Sequence, residues 1–346
     1  MKSFPPAKIR NVALVGHGGS GKTTLTEALL FAAKAIPRLG RVEDGTTTTD
    51  FEAEELKRHI SASLALAPIE HDGFKINVID TPGYADFLGD VEAALWVADL
   101  AVFVVSAVEG VEVQTEVAWR MAADANLPRL IFVNKLDRER ASFERTLAQL
   151  QERFGTGVAP LELPLGEETG FRGVADLLSE SAFVYESQGG GPPVATTTSL
   201  PDELAETEHP VRDSLIEGIV VADDELMERY LEGDVPNPKE LEETLAKGVA
   251  TATVFPVLCG SATKGIGVDR LASFVCELGP SPLGRPPTEV RAGDRELEVA
   301  CDPAGDPLAI VFKTIADPYV GKISLLKVVS GTIRPDISLV NSRSHR

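Results

Sequence analysis

The sequence predicts an α/β fold: a doubly wound, mostly parallel sheet, interrupted by an inserted α+β subdomain and followed by a partial antiparallel β-barrel. Three observations predict it. Strand-length apolar runs alternate with helix-length amphipathic runs from Ile9 to Phe154, as parallel βαβ units require. The run DLAVFVVSA, residues 99–107, is apolar almost throughout, as a strand covered on both faces must be. A glycine-rich segment, GHGGSGKT over residues 16–23, joins the first strand to the first helix, where a doubly wound sheet places its ligand.

The elements follow in order. Residues 9–16 (IRNVALVG) form a β-rich run ending in glycine, and residues 22–34 a helix with Leu25, Leu29 and Leu30 at helical spacing. Residues 62–80 read as a hairpin whose arms, SLALAPIE and FKINVID, flank a His-Asp-Gly turn. Then come helix 86–98, strand 100–106, helix 112–125, strand 129–133 and helix 140–153. The alternation breaks after Phe154. Residues 155–203 carry Gly189-Gly190-Gly191-Pro192-Pro193 and Thr196-Thr197-Thr198 and contain a flexible loop, while residues 204–252 are helical and acidic. A buried-type strand, 254–258, and a helix, 268–278, resume the first pattern. The expected division is therefore 1–154 and 254–282 for the first domain, 155–253 for an insertion, and 288–346 for a β-domain beyond the linker PSPLGRPP. In that last part strands 308–315 and 323–329 stand out, and residues 341–346 follow a strand with no closing element, so the barrel reads as cut short.

The composition narrows the partners. The chain of 346 residues is 43% hydrophobic and carries a net charge of −20, which disfavours bulk attraction to DNA or to an anionic membrane but leaves room for a local RNA-binding patch. Its most apolar run is too short to span a bilayer, and its first residues lack the apolar core of a signal peptide. Cys259, Cys276 and Cys301 show no metal-binding spacing. A reducing, cytoplasmic setting is expected.

Five short segments carry chemistry. Gly16, His17, Gly18, Gly19, Ser20, Gly21, Lys22 and Thr23 fit G-x-x-x-x-G-K-[ST], with Thr24 following. Backbone N–H groups there curl around phosphate oxygens and the helix N-terminus adds partial positive charge. Lys22 would reach the β- and γ-phosphates, and the Thr23 hydroxyl would bind Mg²⁺. Asn134-Lys135-Leu136-Asp137 follows a buried strand. The Asp137 carboxylate can accept both N1–H and N2–H of guanine, an arrangement adenine does not present. Asn134 would hold the loop and the base N7, the Lys135 stem would cover the ring, and the amides of Gly260-Ser261-Ala262 would meet the guanine O6. Asp80-Thr81-Pro82-Gly83 puts an acid at a strand tip, to hold Mg²⁺ through water, and the Gly83 amide where it can sense a γ-phosphate. Ser61, in Arg58-His59-Ile60-Ser61, is the candidate hydroxyl that closes over the metal.

The ordered set GHGGSGKT, RHIS, DTPG, NKLD and GSA resembles the P-loop GTPase domain of translational GTPases, most of all elongation factor G and its bacterial paralogues. The span between Lys135 and Ser261 is long enough for the subdomain that family inserts there, and residues 306–341 are similar to its second, β-barrel domain. The resemblance implies GTP and GDP binding with Mg²⁺, hydrolysis of GTP, a monomer, and a ribosomal partner met through ribosomal RNA and stalk proteins. The domains that act in the decoding region are expected beyond this chain. Two positions depart from the family. Where relatives have a histidine after DTPG to orient the attacking water, this chain has Tyr84, and where they often carry an aspartate in the phosphate loop it has Gly19. With Lys22, Gly83 and Tyr84 as the catalytic set, binding should persist and chemistry should be slow. Two other readings stand beside this: a GTP-dependent ribosome-binding switch without useful turnover, in recycling or protection, and a P-loop ATPase or kinase, which NKLD disfavours.

Overall fold

The structure, a computed structural model, describes residues 3–187, 189–317 and 319–344. It divides into two units, 1–281 and 282–346.

The first unit begins with β1 (Ile9–Val15) and α1 (Lys22–Ala32), then α2 (Ala53–Arg58), β2 (Ala65–His71), β3 (Phe74–Asp80), α3 (Leu88–Val97), β4 (Leu100–Ser106), α4 (Val113–Asp124), β5 (Arg129–Asn134) and α5 (Phe143–Phe154). The insertion contributes β6 (Val158–Pro160), β7 (Glu162–Leu165), β8 (Gly173–Asp176), β9 (Ser181–Glu186), β10 (Val194–Ser199), α6 (Ala205–Val220), α7 (Asp224–Leu231) and α8 (Pro238–Ala250). β11 (Phe255–Cys259) and α9 (Val268–Leu278) complete the unit.

The main sheet has the order β2-β3-β1-β4-β5-β11-β6. Only the edge hairpin β2–β3 is antiparallel; every other neighbour runs parallel. All residues of β4, β5 and β11 are buried, which explains their apolar or neutral character apart from Arg129 at the start of β5. α1 packs on α9, β2 and β3, whereas α3 packs on α4 and β1. An aromatic cluster consolidates the far side: Trp119 stacks on Phe154 at 4.0 Å and meets Phe255 edge-on at 5.0 Å, with the Arg129 guanidinium 4.3 Å from the Phe255 ring centre. The parallel register sets Leu14 beside Asp80 and Ser106 beside Asn134. The motifs at the ends of β1, β3, β5 and β11 are thus gathered on one carboxyl edge.

The structure corrects the expected boundaries of the insertion. β6 is an edge strand of the main sheet, paired with β11 from Val158 to Pro160, so the first domain's sheet extends into the stretch read as inserted. Beyond it, strands between residues 162 and 199 form a four-stranded antiparallel sheet, β10-β9-β8-β7, the β part of the expected α+β insertion, within a stretch where the sequence marked only a flexible loop. Its strands are short, and the glycine and proline turn residues mask their alternation in the sequence.

The second unit holds two antiparallel hairpins, β12 (Thr288–Ala292) with β13 (Arg295–Val299) and β14 (Leu308–Asp317) with β15 (Gly321–Ser330). Among the described residues these are separate two-stranded antiparallel sheets, where the sequence led to the expectation of a partial antiparallel barrel.

Candidate nucleotide site

The carboxyl edge opens into a cleft of about 840 Å³ lined by Gly18, Gly19, Gly21, Lys22, Thr23 and Thr24, by Ser61, Gly83 and Tyr84, and by Asn134 and Lys135. Gly16, His17, Ser20, Asp80, Asp137, Ser261 and Ala262 are not among the lining residues, though each adjoins them in the chain or in space.

The phosphate loop turns from β1 into α1 through Gly21, whose φ of 97° is left-handed and where a Cβ would strike Asn134 Nδ2. Only glycine satisfies both conditions. Lys22 is folded back onto the loop and donates from Nζ to the carbonyls of Gly16 (2.9 Å) and His17 (2.8 Å). Burial lowers its pKa, opposed by Asp80. The His17 ring is turned away from the cleft, with Nδ1 3.4 Å from Thr115 Oγ1 of α4. Burial and Lys22 lower its pKa to about 4, so it is neutral at pH 7. His17 therefore serves the loop through its carbonyl, not its imidazole.

Thr81 Oγ1 donates to Leu14 O at 2.6 Å and fastens the D-T-P-G turn to β1. Gly83 then lies directly on the phosphate loop: a Cβ there would be 2.5 Å from Lys22 Nζ and 2.6 Å from Gly18 N. The Tyr84 ring covers Gly18, where a Cβ would fall 2.9 Å from Tyr84 Cζ. Tyr84 is 46% exposed, so its ring touches the phosphate loop while remaining open to solvent.

Asp80 is 2% exposed. Its Oδ2 accepts from Thr49 Oγ1 at 3.1 Å, while its Oδ1 is buried with no hydrogen-bond partner. Burial raises its pKa against the pull of Thr23, Lys22 and Thr49. Ser61 reaches the same place, with Oγ 2.9 Å from Thr23 Oγ1. Two hydroxyls and a carboxylate with an orphaned oxygen form a hard-oxygen donor set of the kind Mg²⁺ takes alongside phosphate oxygens and water.

Sequence reasoning missed what brings Ser61 there. Buried Glu27 of α1 accepts from the amides of Gly40 (3.1 Å) and Thr48, anchoring the long segment after α1. Buried Glu55 of α2 accepts from Ala62 N (2.9 Å), Ser63 N (3.1 Å) and Glu52 N (3.1 Å). Asp50 joins them, with its pKa raised by burial and opposed by a hydrogen bond with Ser61. The E-x-x-E spacing of Glu52 and Glu55, a capping box, was the available signal. Glu27 offered none, because its partners are loop amides.

At the base end, Asn134 Nδ2 donates to Ser20 O (2.9 Å) and its Oδ1 accepts from Ala262 N (3.0 Å), tying the phosphate loop to the Gly260-Ser261-Ala262 turn. The amide expected to meet guanine O6 is thus engaged by Asn134, and that of Ser261 donates to Ile266 O at 2.9 Å. In this structure both residues brace the base loop. Lys135 adopts φ 67°, a costly conformation for a non-glycine residue, and its Nζ is 3.4 Å from Glu109 Oε2. Asp137 Oδ1 is buried and without a hydrogen-bond partner, an acceptor awaiting a donor.

A phosphate loop, a strand-tip carboxylate beside two hydroxyls and an N-K-x-D loop around one cleft define the P-loop guanine-nucleotide-binding class. Residues 7–281 match the family described as elongation factor Tu GTP binding domain, and the chain belongs to that family, the translational GTPases. It is similar to an elongation factor G-like protein of Mycobacterium tuberculosis, in strains CDC 1551 / Oshkosh and ATCC 25618 / H37Rv, at 43% identity over 96% of this chain and 46% of the relative. A crystal structure of a protein from Thermus thermophilus superposes with a TM-score of 0.83 at 37% identity, covering 95% of this chain and 46% of that one. The chain thus spans about half the length of these relatives. Among the described residues, no helix is long and apolar enough to cross a membrane.

Proposed function

We propose that this chain is the nucleotide-binding part of an elongation factor G-like protein that binds GTP and GDP with Mg²⁺, hydrolyses GTP slowly, and couples that cycle to a ribosomal step such as tRNA–mRNA translocation. The observation that carries the reading is the orphaned Asp137 carboxylate oxygen, two residues along the chain from Lys135, which lines one end of a cleft whose other end is the phosphate loop. Asp137 selects guanine. Lys22 is released from the Gly16 and His17 carbonyls to meet the β- and γ-phosphates, which restore its lost solvation. Thr23, Ser61 and Asp80 hold Mg²⁺, which when bound neutralises phosphate charge and aligns the oxygens for displacement. The Gly83 amide reports the γ-phosphate. The ribosome is the partner, through ribosomal RNA and stalk proteins, and the protein acts as a cytoplasmic monomer.

A second reading, a GTP-dependent ribosome-binding switch without useful turnover, is favoured by Tyr84. A phenol does not become a cation near pH 7 and orients water differently from an imidazole. Single-turnover GTP hydrolysis by the full-length protein, with and without ribosomes, separates the two: stimulation by ribosomes supports the enzyme, and a flat rate supports the switch. Tyr84→His should raise the ribosome-stimulated rate, by about ten- to a hundredfold if the position orients water. No gain from Tyr84→His would remove that role from the position. Displacement of bound GDP by an equal concentration of ATP would overturn the guanine reading.

A further inference from the structure

The two loops that surround the base site are held from outside by the inserted sheet. Glu168, in the turn between β7 and β8, donates its amide to Leu136 O at 2.7 Å, inside Asn134-Lys135-Leu136-Asp137. Its Oε1 accepts from Arg140 N at 2.7 Å, just beyond that motif. Glu168 does this at φ 53°, a conformation that persists in a non-glycine residue only where its surroundings impose it. The other loop is gripped by β9 and by the approach to β10. Tyr185 OH donates to Asp269 Oδ1 at 2.6 Å, in the first turn of α9. Pro193 lies on Gly265, where a Cβ would sit 2.9 Å from the proline ring. Gly265 belongs to the turn closed by Ser261 N to Ile266 O (2.9 Å) and Ile266 N to Ser261 O (3.1 Å). The two loops also meet each other, Leu136 N donating to Gly260 O at 3.3 Å.

The Tyr185 and Pro193 contacts border an open pocket of about 550 Å³, lined also by Phe31, Leu39, Phe171, Pro192 and Thr263. The grip on the Gly260–Ile266 side is therefore made of point contacts rather than close packing, and the loss of one is not made good by its neighbours.

We propose that the inserted sheet is an outer brace of the base site, with Glu168, Tyr185 and Pro193 as positioning residues that keep Asp137 and the Ala262 turn in register and so set how fast the nucleotide leaves. This rests on the guanine-nucleotide reading above. None of the three touches the nucleotide; each acts through a loop that does. Displacing the sheet loosens both loops together, because Asn134 joins the Ala262 turn to Ser20.

The test is stopped-flow dissociation of a fluorescent GDP analogue from the full-length protein, with equilibrium affinities for GDP and for inosine diphosphate, which lacks the 2-amino group Asp137 would bind. Glu168→Ala, Tyr185→Phe and Pro193→Gly should each speed dissociation by on the order of fivefold and narrow the preference for GDP over inosine diphosphate. Glu168→Gln, which keeps an oxygen acceptor for Arg140 N, should behave as wild type. A general loss of stability would not change base preference selectively, so that ratio is the decisive readout. If Pro193→Gly does not fold, Tyr185→Phe and Glu168→Ala decide. Unchanged dissociation and an unchanged ratio in those folded variants overturn the proposal. A wild-type protein that does not prefer GDP to ADP overturns instead the reading on which it rests.

Discussion

Asp137 and Asp80 share an uncommon state: each holds a buried carboxylate oxygen with no hydrogen-bond partner. An unmet buried acceptor costs about 1–3 kcal/mol, and such costs are recovered when a ligand supplies the missing partner. For Asp137 the proposed partner is a donor on the base. Replacing its carboxylate with an amide, Asp137→Asn, should weaken GDP binding by about a hundredfold and favour xanthosine diphosphate, which carries a carbonyl at the 2-position. Competition titrations with the two diphosphates check this. For Asp80 the proposed partner is Mg²⁺. Burial holds its pKa above the ordinary carboxylate range, against the pull of Lys22, so metal binding there would displace a proton at lower pH. Mg²⁺-dependent nucleotide affinity should therefore fall as pH is lowered, by up to about tenfold per unit, as read by calorimetry over a pH series. Tyr84 and Gly19 were visible as departures from the family pattern. The contact of the Tyr84 ring with Gly18 was not, because nothing in a sequence says which way a side chain at a turn points.

The element that most affects the metal site is the segment after α1, which contains no long regular structure. Glu27 and Glu55 fold it by accepting backbone amides, and so deliver Ser61 to Thr23. Substituting Glu55→Ala strands three amides and removes the reciprocal cap of α2, worth about 1 kcal/mol for the cap alone. Limited proteolysis should then cut at Lys57 and Arg58 several times faster, with little change in the melting temperature of the main sheet. An unchanged cleavage rate would show that Glu55 does not hold the segment. The strands around the site were legible because β4 and β5 are buried on both faces and their motifs follow at the tips. The inserted sheet was not, since β7 and β8 are four residues each and their pairing partners are set by turns rather than by alternation.

Across the first unit, the inserted sheet and the main sheet are joined at a buried cluster. Arg270 of α9 gives Nη2 to Asp176 at 2.6 Å, whereas its Nε is 3.7 Å from Glu162 Oε1, too far for a hydrogen bond. The guanidinium charge is thus matched by Asp176. Glu162, 0% exposed, has its pKa pushed up to about 8 by burial, against Arg270, and is protonated at pH 7. Its folded pKa lies above the unfolded value of 4.5, so the native state binds the proton more tightly. The contribution is fully present below pH 4.5 and is lost as pH rises toward 8, at up to about 1.4 kcal/mol per unit. Glu162→Gln should flatten that part of the stability–pH profile in denaturant titrations and cost little at pH 7. A profile as steep as wild type would place the ionisation elsewhere.

By itself the sequence determined the family and the motifs at the strand tips: the phosphate loop, the acid of β3 and the N-K-x-D segment are each encoded in a few consecutive residues whose strand and helix are local. What holds them in place was decided only by the tertiary structure. Glu27 with Thr48, Asn134 with Ala262, Glu168 with Leu136 and Arg270 with Asp176 are pairs separated along the chain, and no local pattern marks which group meets which. Hydrogen bonds of that kind depend on where the folded backbone passes, and the packing of the whole sheet is what brings it there.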